Sequence, residues 1–205
     1  MRILVVAATA PEIAPIDSAL RSHAGIDVLV TGVGMVATAA RCSRVLAQAR
    51  YDFALNLGLC GSFDPALPPG TVVHVVSDRT PELGAEAGDA FLPIEGLGLP
   101  ADHVVENTDP PRNVALERLP HVTGITVNTV HGEASSIARV VARCAPQVES
   151  MEGAAFMYAC RLSALPYAQV RAVSNLVEPR NRERWNVAAA IAALGDAARA
   201  ILDHA

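Results

Sequence analysis

Short apolar runs alternate along this chain with longer, Ala-rich segments whose apolar residues recur at helical spacing. The apolar runs, each typical of a buried β-strand, cover residues 3–8, 26–31, 53–57, 72–76, 122–127 and 167–173. The helical segments cover residues 12–22, 35–50, 132–144, 150–162 and 185–203. This alternation predicts an α/β fold with three layers, α/β/α, around a mixed and largely parallel central sheet.

Residues 80–120 are different, because they are rich in Gly and Pro and show little periodicity. We expect long loops there, with a short strand and a short helix. The chain has 205 residues, a length that suits one domain with a substantial core. Residues 1–205 are therefore expected to form a single domain.

Composition and charge exclude several classes of function. The net charge is −5 and no Lys/Arg-rich run occurs, which argues against a nucleic-acid partner. The N-terminal apolar run is too short for a signal peptide, and no run approaches the ~20 apolar residues of a membrane span. The four Cys form no C-x-x-C pair and are expected to be buried thiols in a reducing cytosol. The chain is thus expected to be cytoplasmic, with no membrane partner, metal or cofactor.

The polar residues that can carry chemistry follow strands. Three such segments cover residues 8–12, 57–62 and 174–181. Ligands of α/β sheets usually bind beyond the carboxyl ends of the strands. We therefore expect these segments to meet at one site.

Residues 32–37 match the G-x-G-x-x-A pattern of dinucleotide-binding proteins. That pattern should follow the first strand, whereas here it follows the second, and Asp52 precedes its strand instead of closing it. A dehydrogenase is therefore disfavoured. Gly34, in this turn, and Gly58, after the third strand, are instead expected to bring the backbone close to a substrate.

Two carboxylates stand near predicted helix starts, Glu12 behind Pro11 and Glu152 behind Ser150. Each could simply be a first-turn acid that interacts with the helix dipole. In a dry pocket, the same carboxylate could hold and polarise a water or grip a ligand. The small residues after Glu152 would let something approach that helix end closely.

The last predicted strand ends in a second polar group. Asn175 could be an ordinary strand-end cap, but its amide also offers a donor and an acceptor that suit a 6-oxopurine. Ser174 lies beside it. Arg171 lies inside the strand and, if buried, needs a partner such as Glu12 or a water.

Five segments, in this order, resemble the purine nucleoside phosphorylase and nucleosidase superfamily: residues 7–12, 31–34, 56–61, 150–152 and 171–175. Within it the chain is similar to the methylthioadenosine/S-adenosylhomocysteine nucleosidases and, more closely, to the futalosine hydrolases. Residues 174–182 carry the closer likeness. The resemblance covers most of the chain except residues 80–120. It implies a nucleoside phosphorylase-like fold and hydrolysis of futalosine to hypoxanthine in the menaquinone pathway.

The resemblance also implies roles for individual residues. Glu12 matches the acid that activates the attacking water, and Arg171 matches the arginine that helps to hold this water. Glu152 matches the acid that binds the ribose hydroxyls, with Met151 packed on the sugar. Asn175 departs from the adenosine-type nucleosidases, which have Asp there; an amide cannot act as an acid at N7, but it can pair with N7 and O6 of hypoxanthine.

Leu59 is a second departure, because the adenosine-type enzymes resemble one another in having Ser there. Futalosine carries a benzoate, for which the candidate cationic partners are Arg79, Arg180 or a residue of a neighbouring subunit. The family usually assembles from dimers, so a homo-oligomer is expected beside a small-molecule nucleoside substrate. The alternatives are an adenosine-type nucleosidase and a non-catalytic nucleoside-binding protein on the same fold.

Overall fold

The structure is a computed structural model that describes residues 1–88, 90–100 and 102–205, and for residues 19, 21 and 22 the backbone only. The strands are β1 (Ile3–Ala7), β2 (Ile26–Val30), β3 (Phe53–Ser62), β4 (Val72–Arg79), β5 (Gly84–Ala87), β6 (Ala90–Pro93), β7 (Val104–Glu106), β8 (His121–Thr126), β9 (Val148–Ser150) and β10 (Tyr167–Leu176). The helices are α1 (Ala10–Ile13), α2 (Asp17–Ser22), α3 (Met35–Gln48), α4 (Val114–Glu117), α5 (Ala134–Cys144), α6 (Gly153–Leu162) and α7 (Val187–Asp203).

The central sheet has eight strands in the order β10-β4-β8-β9-β3-β1-β2, with β7 added on β4 and a further pairing between β10 and β3. The pairings within β1–β2, β1–β3, β3–β10, β4–β8 and β8–β9 are parallel, and the other three are antiparallel. The predicted mixed, largely parallel sheet is confirmed. Because β10 pairs with both β3 and β4, five of the strands close into a ring, which the sequence pattern did not reveal.

Helices cover both faces of the sheet, and β1 shows why. Its five residues are all buried, and their side chains alternate between two cores. Ile3 and Val5 belong to the cluster that contains residues of α7, whereas Leu4 and Val6 belong to the cluster that contains residues of α3 and α6. A strand buried on both faces reads as a continuous apolar run, which is how the sequence predicted it.

Two strands extend beyond their apolar runs, and both extensions carry site residues. β3 continues past Gly58 to Ser62, and β10 continues past Val173 to Leu176. The register of β10 against β3 shifts between Val173 and Asn175, which leaves Ser174 as an extra, bulged residue. Polar residues that we expected beyond the strand ends therefore lie within paired strands, where a bulge re-aims their side chains.

Two predicted helices differ from the structure near their N-terminal ends. The helix predicted from residue 12 is divided into α1, a 3₁₀ turn over Ala14–Ile16 and α2, because Pro15 lacks the backbone donor that a continuous helix needs. The helix predicted from residue 150 begins at Gly153, because residues 148–150 form the short strand β9 between β3 and β8.

Residues 80–120 hold more regular structure than predicted. β5 and β6 form a separate hairpin, β7 extends the central sheet, and Asn113 caps α4 by accepting hydrogen bonds from the backbone of Ala115 and Leu116. The predicted short strand and short helix are both present. Residues 89 and 101, within this predicted loop region, lie outside the described residues.

The last helix begins at Val187, two residues later than predicted, and is apolar over most of its length. By length and composition, residues 182–203 could cross a membrane. One face of α7 nevertheless packs in the core, where Ala190, Leu194, Ala198 and Ile201 are fully buried.

The four cysteines are free thiols. Cys42, Cys60 and Cys160 are buried, as predicted, and Cys144 is half-buried.

Candidate active site

A cavity of about 380 Å³ opens where β1, β3, β9 and β10 end. Its wall contains five of the predicted site residues: Glu12, Met151, Glu152, Ser174 and Asn175. Other lining residues are Thr9, Val33, Leu59, Val130, Glu149, Trp185 and Val187. Residues that are far apart in the chain thus share one space of roughly the size that small-molecule sites have.

Glu12 acts as a capping acid and also lines the cavity. Its Oε2 accepts hydrogen bonds from the backbone N–H of Thr9 at 2.7 Å and from the Thr9 hydroxyl at 2.9 Å, as a capping acid does. Its Oε1 accepts a longer bond of 3.3 Å from the backbone N–H of Leu59. One carboxylate oxygen is therefore anchored, while the other is held more weakly and can bind a further donor.

Glu152 lies at the cap position of α6 and is only 6% exposed. Its Oε1 accepts a hydrogen bond from the backbone N–H of Gly34 at 3.1 Å, and its Oε2 lies 3.6 Å from Nη1 of Arg171. Gly34 therefore orients the acid and does not line the cavity itself. The G-x-G turn thus donates a backbone hydrogen bond to the carboxylate of Glu152.

Arg171 is fully buried, and its partners differ from the predicted one. The sequence suggested Glu12 or a water, whereas Arg171 donates to Asn56 Oδ1 at 2.6 Å and to Gln169 Oε1 at 3.0 Å, and pairs with Glu152. It supports the cavity from behind the wall. An arginine buried with these partners satisfies the rule that buried charges are paired.

Gly58 provides the space for this arrangement. A Cβ atom built at Gly58 would lie 2.0 Å from Arg171 Nη1 and 3.2 Å from Glu12 Oε1. Only glycine allows both side chains to approach β3 this closely. Gly58 therefore lies under the two charged groups, outside the cavity wall.

Asn175 has an amide whose orientation is defined by its neighbours. Its Nδ2 donates to the carbonyl of Leu176 at 2.9 Å, and its Oδ1 accepts from the Ser174 hydroxyl at 2.7 Å. Because a carbonyl only accepts, the nitrogen must face Leu176. The second N–H of the Asn175 amide donates to neither of these two neighbours, so it is available to a ligand in the cavity.

Sequence reasoning missed Glu149, although it begins the stretch that drew attention to Glu152. Glu149 is 3% exposed and lines the cavity. It accepts from the backbone N–H of His131 at 3.0 Å and pairs with Nδ1 of the same residue at 2.6 Å. Strand β9 places Glu149 at the cavity wall. The sequence did not predict this strand, because three residues are too few to show the alternation of a β-strand.

The two arginines considered for the benzoate lie in different places. Arg79 lines a separate small cavity with Glu95. Arg180 lies near the candidate cavity, since its guanidinium is 5.4 Å from the ring centre of the lining residue Trp185. Arg182 lies 5.8 Å from the same ring centre.

The charge of the cavity wall is strongly one-sided. Glu12, Glu149 and Glu152 all line it, and among the described residues the lining contains no Arg or Lys. Such a wall favours a developing cation and repels an anion such as phosphate. The arrangement suits stabilisation of a positively charged sugar.

Comparison with known proteins is consistent with this chemistry. The family model of the phosphorylase superfamily matches residues 24–205, so the chain belongs to this superfamily. A futalosine hydrolase of Streptomyces coelicolor is 34% identical over 185 residues, which cover 84% of this chain and 77% of that protein.

Solved structures show the same fold. The futalosine hydrolase of Helicobacter pylori superposes with a TM-score of 0.84 at 14% identity, over 100% of this chain and 98% of that one. The 5'-methylthioadenosine/S-adenosylhomocysteine nucleosidase of the same organism gives 0.84 at 13% identity, over 100% and 99%. The fold is therefore shared by both kinds of enzyme and does not choose between them.

Proposed function

We propose that this chain is an N-glycosyl hydrolase that cleaves futalosine into hypoxanthine and dehypoxanthine futalosine, a step of menaquinone biosynthesis. The observation that carries the proposal is the shared cavity, in which Glu12 and Glu152 accompany Asn175. The futalosine hydrolase relative, at 34% identity over most of the chain, supports the choice of substrate.

The sugar end of the site contains Glu152 and Met151. Cleavage of the N-glycosidic bond places positive charge on the ribose. Glu152 is held by Gly34 and Arg171, so its carboxylate is oriented before the substrate binds. It accepts hydrogen bonds from the ribose hydroxyls and stabilises the cationic sugar, while Met151 packs on the ring.

The water is activated by Glu12. Its Oε2 is engaged by Thr9, which leaves Oε1, beside the N–H of Leu59, to accept a proton from the water. The positioned water then attacks C1′ as the base departs. Water is favoured over phosphate because the three carboxylates of the wall repel an anionic nucleophile.

The base end is formed by Asn175. The uncommitted N–H of its amide donates to N7 or O6 of the departing hypoxanthine and stabilises the negative charge there. An adenosine-type nucleosidase is less well supported, since an amide supplies no proton to N7 of adenine. Ser174, by donating to Oδ1 of Asn175, keeps the amide in this orientation.

The carboxylate tail of futalosine is assigned to Arg180. The guanidinium of Arg180 lies over the ring of Trp185 at 5.4 Å, and Trp185 borders the cavity. A planar guanidinium suits bidentate recognition of a carboxylate. Arg180→Gln should therefore lower kcat/KM for futalosine about tenfold and leave inosine, which lacks the tail, unchanged.

We further propose a cytoplasmic homo-oligomer built from dimers. Val33 lines the cavity and is 58% exposed, and Val36 on α3 is 78% exposed. Exposed apolar side chains such as these suit a contact with a second copy. Sedimentation of the wild type and of Val36→Asp tests this: the variant should sediment as a smaller species.

One incubation tests the proposed activity. Purified protein is given futalosine, inosine or methylthioadenosine, and the released base is identified by chromatography. We expect hypoxanthine from futalosine at the highest kcat/KM, and a loss of about 10²–10³ in turnover for Glu152→Gln. Faster release of adenine from methylthioadenosine would support the adenosine-type alternative, and binding without product would support a non-catalytic binding protein.

A further inference from the structure

A continuous chain of buried polar groups extends from the cavity wall into the sheet. From Glu152 it passes to Arg171, whose Nε donates to Gln169 Oε1 at 3.0 Å. Gln169 Nε2 in turn donates to Asp78 Oδ2 at 3.0 Å. Asp78, Gln169 and Arg171 are each 1% exposed, so these bonds form in a low-dielectric interior where they are strong.

The order of donors and acceptors in this chain is set by Asp78. An ionised carboxylate only accepts hydrogen bonds, so the amide nitrogen of Gln169 must face it. The amide oxygen of Gln169 then faces Arg171, which only donates. If Gln169 were turned over, its nitrogen would face the Arg171 donor and its oxygen would face the carboxylate. Asp78 therefore selects the one amide orientation that holds Arg171.

Asp78 is itself held at the start of α6. Its Oδ1 accepts from the Thr126 hydroxyl at 3.0 Å, and the oxygen of this hydroxyl accepts from the backbone N–H of Ala154 at 2.7 Å. A Cβ atom at Gly153 would lie 2.1 Å from Gln169 Oε1 and 2.3 Å from Asp78 Oδ2. The small residue after Glu152 was expected to let something approach this helix end closely, and the groups that approach it are the side chains of Asp78 and Gln169.

We propose that Asp78 is a positioning residue of the active site, which acts through Gln169 and Arg171 to hold Glu152 in the orientation that binds the sugar. Asp78 does not line the cavity, so it does not touch the substrate. The role of Glu152 rests on the proposed function. The coupling between Asp78 and Arg171 does not, because it follows from the hydrogen bonds alone.

The charge of Asp78 makes the proposal measurable. Burial raises its pKa to about 6, against the lowering effects of Gln169, Thr126, Arg171 and the Arg79 backbone N–H. These are the charged and polar groups that face it from β10, β8 and its own strand. A proton on Asp78 would turn one acceptor into a donor, which weakens the preference for the observed Gln169 orientation, because the carboxylate then no longer supports it. Arg171 should therefore be held less firmly below about pH 6.

The test compares the wild type with Asp78→Asn, which keeps the shape and removes the charge. We expect kcat/KM for futalosine to fall about ten- to a hundredfold at pH 7.5, mainly through kcat. The part of the acid limb near pH 6 should disappear from the pH profile. Gln169→Met, which cuts the same link, should show a similar fall and secures the test if Asp78→Asn folds poorly. Ile201→Val, a core change on α7, controls for lost stability.

A second measurement is independent of activity. The Nε–H resonance of Arg171, followed by NMR against pH, should shift with a midpoint near 6 in the wild type and should not shift there in Asp78→Asn. A variant with the wild-type pH profile and turnover, or with the wild-type Arg171 titration, would overturn the inference. A wild type that cleaves no nucleoside while its Arg171 resonance titrates as expected would instead refute the proposed function and leave the coupling intact.

Discussion

Replacement of Glu12 by Gln tests the assignment of the base, because it changes one oxygen into an NH₂ group in a site whose contacts are defined. The Glu12 carboxylate accepts from three donors: the Thr9 N–H, the Thr9 hydroxyl and the Leu59 N–H. A Gln amide has one oxygen. If that oxygen stays with Thr9, the NH₂ group takes the place of Oε1, faces the Leu59 N–H and cannot accept a proton from water.

Two separate magnitudes are expected for Glu12→Gln. Loss of a general base costs about 10²–10⁴ in rate, which corresponds to about 2.7–5.4 kcal/mol in the activation barrier. The single unpaired donor costs about 1–2 kcal/mol of folding stability, or a fall of about 2–8 °C in Tm for a chain of this size. KM should change little, because Glu12 holds the water and leaves the ribose to Glu152.

The assay measures hypoxanthine release from futalosine under saturating substrate, together with thermal unfolding followed by circular dichroism. Glu117→Gln, the same substitution on the exposed face of α4, is the matched control and should retain wild-type turnover and Tm. If Glu12→Gln retains turnover within a factor of about 3, well below the loss expected for a base, Glu12 does not activate the water.

Three further substitutions are each expected to change one property. Asn175→Asp places a carboxylate oxygen 2.9 Å from the Leu176 carbonyl, which favours a protonated acid that can give its proton to N7 of adenine. The kcat/KM ratio of methylthioadenosine to futalosine should therefore rise at least about tenfold. An unchanged ratio would show that Asn175 does not recognise the base. Gly58→Ala pushes a Cβ atom to 2.0 Å from Arg171 Nη1, so the displaced buried charge should cost about 3–5 kcal/mol and lower Tm by about 6–20 °C; a wild-type melting curve would show that Arg171 can move freely. His74 is buried with neither ring nitrogen paired, and its pKa is lowered to about 4 by burial and by His121. The unfolded chain therefore binds this proton more tightly, and stability is lost as pH falls from 6.5 towards 4. In His74→Leu the gain in unfolding free energy over the wild type should grow by up to about 3 kcal/mol across that range, and a gain that does not depend on pH would contradict the shift.

Much of the fold follows from local sequence, because strands buried on both faces and Ala-rich helices leave strong periodic signals. Residues 3–8 and 35–50 were predicted to within about two residues of β1 and α3. The ring of five strands could not be predicted, since it depends on which strands pair with β10. β9 was missed for the same reason: three residues become a strand only between β3 and β8.

The sequence likewise predicted some residues of the candidate site and missed others. Glu12, Glu152 and Asn175 were found because they follow apolar runs and because the segments resemble a known superfamily. The partners of Arg171 were predicted incorrectly, since Asn56 and Gln169 lie in strand interiors and carry no local signal. Glu149 and Asp78 were missed because only the assembled sheet brings them to the cavity wall or to the start of α6.

The most direct test of the central claim is the fate of the nucleophile. Futalosine is incubated with the protein in heavy-oxygen water that also contains phosphate, and the sugar product is analysed by mass spectrometry. Hydrolysis by a water that Glu12 activates predicts hypoxanthine and dehypoxanthine futalosine with the heavy oxygen at C1′. A sugar 1-phosphate, or no cleavage of futalosine, would contradict the account.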